Sequence, residues 1–162
     1  IGASTGGFTD CLLQYGAAKV YAVDVGYGQF DWTLRQNLRV KVIERTNIRQ
    51  LPYEVINEKM DIIVADTSFI SLKVVIPSAE KFMRDHTLVL ALIKPQFEAG
   101  KQNVGKGGVV KDPEIRKLVI KDLKVFFKER GYLVNQIVPS PIFGPKGNKE
   151  YIISLNYREN LN

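Results

Sequence analysis

At 162 residues, 45% hydrophobic and 25% charged, the chain is long enough for one globular domain with a proper core, and too rich in apolar residues to be disordered. Its single cysteine excludes an internal disulfide framework or cysteine-ligated metal, and its single histidine, His86, sets aside triad or His-rich metal chemistry, so no metal is expected. A net charge of +6 admits either a nucleic-acid partner or a solvated basic surface, while apolar runs such as 87–93 are too short to cross a bilayer and no secretory pattern is present. A cytoplasmic protein without stable membrane association is expected.

The sequence opens on Ile1-Gly2-Ala3-Ser4-Thr5-Gly6-Gly7, followed by an amphipathic run at Phe8, Cys11, Leu12, Leu13 and Tyr15. These glycines fall at a loop-to-helix junction, where backbone N–H groups point at whatever is bound. The spacing Gly-x-x-x-Gly-Gly is neither a dinucleotide fingerprint nor a P-loop, and a tight turn is the plain alternative. Cys11 is expected on the apolar side of that helix, as a reduced core residue. Next, Lys19 to Val23 reads as a buried strand ending at Asp24, 22 residues beyond Gly2. In doubly wound folds an acid at that distance and place accepts hydrogen bonds from a ribose diol. Such a glycine loop follows a central strand, so a first strand is expected upstream of Ile1, outside this sequence.

Beyond a turn-rich loop at 25–29, residues 30–37 predict a short helix carrying Trp32, and 39–44 alternate as an edge strand. The exit loop holds Asn47 and Ile48, placed to touch an adenine or to be a plain loop. Asp61 to Ala65 is a nearly continuous apolar run ending at Asp66, which reads as a central parallel strand delivering an acid into the ligand crevice. The competing reading makes Asp66 the N-cap of the next helix. No Pro-Pro-aromatic follows Asp66, which disfavours methylation of exocyclic base amines.

A helix over about 71–83 is predicted to pack Leu72, Val75, Ile76, Ala79 and Phe82, with Pro77 as an irregularity. The strand 87–93 then leads to Lys94, which Pro95 biases to an extended backbone at the strand tip. Residues 100–110, with four glycines and two lysines, predict a mobile basic loop suited to a phosphate backbone. Asp112-Pro113 starts a helix whose apolar face is Ile115, Leu118, Val119, Leu123, Phe126 and Phe127, and Gly131 ends it. Two strands, 132–140 and 151–157, are joined by a short return, which implies an antiparallel pair on an otherwise parallel sheet. Glu150 stands at the mouth of the last one.

Five ordered blocks carry a resemblance: Gly2 to Thr9, Asp24 to Gln29, Ala65 to Ser71, Lys94 to Glu98 and Gly144 to Tyr151. Together they resemble the TlyA family, also labelled hemolysin A, within the FtsJ-like S-adenosylmethionine-dependent ribose methyltransferases. The resemblance implies a doubly wound Rossmann-like α/β methyltransferase sheet, mostly parallel with a C-terminal antiparallel strand, over residues 1–162. It implies 2′-O-methylation of ribosomal RNA, usually at cytidine, with ribosomal RNA or a ribosomal subunit as partner. It also implies a Lys-Asp-Lys-Glu tetrad of which Asp66, Lys94 and Glu150 match the last three members. The first lysine and a small N-terminal RNA-binding domain are expected upstream of Ile1, and without that lysine the fragment is expected to have little activity.

For S-adenosylmethionine, the expected contacts are Gly2, Ser4, Thr5, Gly6, Gly7, Asp24, Asn47 and Asp66. A sulfonium methyl is already activated, so the enzyme must align it with the 2′-oxygen and help remove the hydroxyl proton. Lys94 is the expected base, and the two acids orient it. Three rivals remain at this stage: a non-catalytic RNA-binding module of the same fold, a membrane-active protein as the hemolysin label suggests, and, more weakly, a dinucleotide oxidoreductase.

Overall fold

The structure, a computed structural model, describes residues 1–159 and consists of two compact units, Ile1–Glu58 and Lys59 onward. The first holds helix α1 (Gly7–Gln14), strand β1 (Val20–Val23), single-turn helix α2 (Trp32–Arg35), strand β2 (Val40–Ile43) and single-turn helix α3 (Tyr53–Ile56). β1 and β2 pair in parallel, with Val20 opposite Val40 and Val23 opposite Ile43. Val20, Ala22 and Val23 bury themselves in this unit together with Leu13, Phe30, Ile48, Leu51 and Ile56. Helix α1 stops at Gly16, whose φ of 89° lets the chain turn back so that Ala17 N–H reaches the Leu12 carbonyl.

The burial of α1 corrects one expectation. Thr9 and Leu13, four residues apart, are its buried pair, whereas Cys11 is exposed. Two residues correspond to about 200° of helical rotation, which turns Cys11 to the opposite side.

The second unit is built from β3 (Met60–Ala65), α4 (Leu72–Ser78), β4 (Met83–Ile93), α5 (Pro95–Glu98), α6 (Pro113–Glu129), β5 (Leu133–Pro139) and β6 (Tyr151–Asn156). Its sheet order is β3-β4-β6-β5. β3 and β4 are parallel, and β6 is antiparallel to both β4 and β5, so β3, β4 and β5 run one way and β6 the other. On β4 the residues Thr87, Val89, Ala91 and Ile93 alternate into the core. Burying a side chain the size of Val89 or Ile93 contributes about 1.5–3 kcal/mol.

Three elements differ from the pattern-based expectation. Helix α4 ends at Ser78, and Glu80 to Phe82 form a 3-10 turn. Pro77 has no N–H to continue the helical ladder, yet Leu72, Val75, Ile76, Ala79 and Phe82 are all buried as predicted. Helix α6 buries only Val119, Leu123 and Phe127, a seam of i, i+4, i+8, and leaves Leu118 59% exposed. Residues 101–103 form a 3-10 turn and Gly105 bridges Val109, local structure that the expectation of a mobile basic loop did not include. Among the described residues no helix is long and apolar enough to cross a membrane.

Candidate functional site

In the first unit the glycine loop is tied to the end of β1. Gly2 and Ala3 donate their N–H groups to the Val23 carbonyl, at 2.9 and 3.2 Å, and Gly6 N–H closes back on the Ala3 carbonyl. Ser4 adopts φ 50°, which aims its N–H at Asp24 Oδ2 (2.7 Å), while Gly26 N–H donates to Asp24 Oδ1, also at 2.7 Å. A carboxylate has about four lone-pair sites, so each Asp24 oxygen still has one to offer a hydroxyl. The first N–H groups of α1 have no acceptor within the helix, and its N-cap Gly6 brings no side chain to satisfy them. A loop with free helix-start donors beside an acid suits a ligand carrying both a carboxylate and a diol. Ala3, Ser4, Asp24, Gly26, Tyr27 and Phe30 line a shallow depression here, with about 210 Å³ of open space. Glu44, on its rim, bonds Arg35 at 2.8 Å, and that guanidinium holds its carboxyl below the ordinary range.

The loop residues differ in what they do. Gly6 has φ 105°, and a Cβ there would come 2.5 Å from Leu34 Cδ1, so both backbone and packing demand glycine. Gly7 faces open space and begins the helix with ordinary backbone angles. Thr5 is exposed, and its carbonyl accepts from Asp31 N–H. Asn47 accepts from Arg49 N–H at 3.0 Å, capping its own turn, while Ile48 is buried.

In the second unit, strand ends gather three chemical groups. Asp66 lies one residue beyond β3, Lys94 one beyond β4, and Glu150 one before β6. Ile93 pairs with Tyr151, so one further step of the same antiparallel register sets Lys94 opposite Glu150. Lys94 Nζ is 2.6 Å from Asp66 Oδ1, with the two side chains 12% and 31% exposed. This contact is one of charge more than of aligned hydrogen bonding, since Oδ1 is buried and receives no well-directed donor. Lys94 Nζ also donates to Ser68 Oγ at 3.4 Å. The N-cap of α4 is Ser71, not Asp66, which removes the capping alternative. Lys94 has extended angles and Pro95 opens α5 directly after it, as the proline rule requires.

Beside Glu150, which the sequence singled out, several residues take roles here that its blocks left unassigned. Glu150 is buried and accepts from Gln96 Nε2 at 3.2 Å. Asn148, 3% exposed, donates to the Gly108 and Pro145 carbonyls and accepts from Val110 N–H, so it binds the folded 100–110 stretch to the turn before β6. Glu98 accepts from Ser71 Oγ (2.6 Å) and Leu72 N–H (2.8 Å), anchoring the start of α4, and burial pushes its carboxyl upward. Phe69 is 89% exposed at φ 63°, with its ring 4.8 Å from that of Phe97. A bulky residue in the left-handed region is strained, and an exposed aromatic face is one on which an unpaired base can stack. Only its place three residues after Asp66 hinted at this.

The first unit thus carries an acid-tipped glycine loop, and the second a strand-tip ion pair. The family model for FtsJ-like methyltransferases matches residues 1–157, and the chain belongs to that family. It is 48% identical over 154 residues to the 16S/23S rRNA (cytidine-2′-O)-methyltransferase TlyA of Mycobacterium tuberculosis, a match covering 95% of this chain and 58% of that one. A solved structure named as a hemolysin, from Streptococcus thermophilus, is 42% identical with a TM-score of 0.93, over 98% of this chain and 58% of that one. An S-adenosylmethionine-dependent methyltransferase from Listeria monocytogenes shares the fold at 13% identity and a TM-score of 0.70, over 98% and 89% of the two chains. The α/β architecture is thus the Rossmann-like one of methyltransferases, and the chain spans somewhat over half the length of the curated relative it matches.

Proposed function

We propose that residues 1–162 are one methyltransferase domain, acting on a ribose 2′-hydroxyl of ribosomal RNA with cytidine as the target nucleotide and S-adenosylmethionine as methyl donor. The observation that carries this reading is the Lys94–Asp66 ion pair at the strand tips, in a chain 48% identical to a relative named for that reaction. S-adenosylmethionine supplies an activated methyl group, transferred from its sulfur to the 2′-oxygen. Asp24 would accept from the cofactor's ribose hydroxyls, with its orientation already fixed by Ser4 and Gly26 N–H. The loop Gly2, Ser4, Thr5, Gly6 and Gly7 would face the methionine portion, whose carboxylate suits the unpaired N–H groups at the start of α1. Asn47 keeps a weaker claim, because its side-chain oxygen is engaged in its own turn.

Lys94 takes the hydroxyl proton on Nζ when neutral, and Asp66 stabilises the ammonium so formed. Glu150 orients the lysine side of the site, and Asp66 doubles as a cofactor-side acid. A ribosomal RNA substrate of this kind favours a cytoplasmic location.

Transfer of labelled methyl from S-adenosylmethionine to ribosomal subunits tests the reading, in this chain and in a form extended to the length of its relatives. Incorporation mapped to a ribose 2′-oxygen is expected in the extended form and little in this chain alone, and Lys94→Ala in the extended form should lower it at least about a hundredfold while keeping RNA binding. Loss of RNA binding together with activity in that variant would favour a non-catalytic binding module instead.

A further inference from the structure

We propose that Gln96 is a positioning residue whose amide fixes the carboxylate of Glu150, an inference that rests on the methyl-transfer reading for its functional consequence. Glu150 is 6% exposed, and a carboxylate withdrawn from water needs donors. Gln96 Nε2 supplies one, to Oε1 at 3.2 Å. On another side, a Cβ at Gly144 would come within 2.1 Å of the same oxygen, so only glycine there leaves the carboxylate its place. Oε1 is therefore held between an amide and a bare backbone carbon. Behind that carbon, Gly144 N–H donates to the Asn148 carbonyl, and the buried Asn148 side chain locks the turn.

The amide serves Glu150 at its own expense. Gln96 Oε1 is buried and has no donor, a deficit that folded proteins rarely leave in place. Turning the amide over would not cure it, because a carbonyl oxygen would then face a carboxylate oxygen. The orientation of Gln96 follows the need of Glu150. Gln96 is two residues beyond Lys94, and Lys94 continues the β4 register opposite Glu150, so one amide couples the acid to the turn that carries the lysine. The other charged groups at these strand ends are Lys94 from β4, Asp66 from β3 and the exposed Lys149 next to Glu150 in the chain.

Gln96→Glu tests this with almost no change of size. It sets a second carboxyl group beside Glu150, and two carboxyls in one buried site share a proton when the pH is low enough. That proton replaces the lost N–H. Relative to wild type, Gln96→Glu should transfer methyl groups nearly as fast at about pH 6 and fall about ten- to hundredfold behind by about pH 8.5. Gln96→Ala should be slower at every pH, in kcat and not in KM for RNA. A variant-to-wild-type ratio that does not change with pH would overturn the positioning role. Chemical denaturation of Gln96→Glu over the same range reads the contact without activity: its stability deficit should widen as the pH rises, and a constant deficit would overturn the contact. A wild-type protein extended to the length of its relatives that transfers no methyl group would sink the methyl-transfer reading instead, and denaturation would still decide whether Gln96 and Glu150 are coupled.

Discussion

Gly6 and Gly7 stand side by side in the sequence and read alike, as glycines that let a ligand approach. Their surroundings separate them. At Gly6 a methyl group would strike Leu34 and force a residue with φ 105° to carry a Cβ, whereas at Gly7 it would meet nothing within 4 Å. Gly6→Ala should therefore destabilise the protein by about 1–3 kcal/mol. Gly7→Ala should leave stability unchanged or raise it by up to about 1 kcal/mol, through helix propensity alone. Thermal unfolding of the two variants checks this, and equal shifts would contradict it. The place of Asp24 at a strand tip beside the glycine loop was legible from its distance to Gly2. The bond from Ser4 that clamps its carboxylate was not, because it depends on Ser4 entering the left-handed region, which its identity as a serine does not announce.

Among the elements, helix α4 shows how a boundary escapes periodicity. Its apolar spacing runs unbroken to Phe82, and the helix nonetheless stops at Ser78, because the proline acts on the backbone while the burial pattern records only side chains. The start of α4 is anchored by Glu98, 26 residues away from Leu72, and no local signal could have linked them. Burial raises the Glu98 carboxyl above its ordinary value of 4.5, outweighing the opposing bonds from Ser71 and Leu72. A carboxyl raised on folding contributes stability that is full below its unfolded pKa and is lost as the pH rises through the folded one. Wild type should thus lose stability relative to Glu98→Gln as the pH climbs upward from about 4.5, and level off once the folded group has ionised. Denaturation midpoints of both proteins across that range provide the measurement; a difference that does not vary with pH would refute the assignment. Asp66 and Lys94 were readable at the strand tips because apolar runs ending in a charged residue mark where parallel strands deliver side chains, whereas Glu150, which precedes its strand, was singled out only by the family resemblance. Gln96 and Asn148 were not, since an amide shows its importance only through what it touches.

For the molecule as a whole, a net charge of +6 left open whether the basic surface has a partner. With ribosomal RNA as substrate, binding should weaken steeply with salt, by about tenfold or more between 50 and 200 mM, because neutralised phosphates release counterions. Filter binding at several salt concentrations checks this, and a flat response would argue that the lysines are only solvated. The parallel direction of β3, β4 and β5 and the reversal of β6 were both legible, from connection lengths. What connection lengths do not reveal is the order of events that this topology imposes. β6 is synthesised after both β4 and β5, yet it lies between them, and those two do not pair with each other. A nascent chain that has not reached Tyr151 therefore carries two strand edges with no partner, the kind of surface that recruits other chains. Glu150 immediately precedes that strand, so the acid of the site arrives only with the strand that closes the sheet. An unfinished chain therefore lacks Glu150 and the closing strand together.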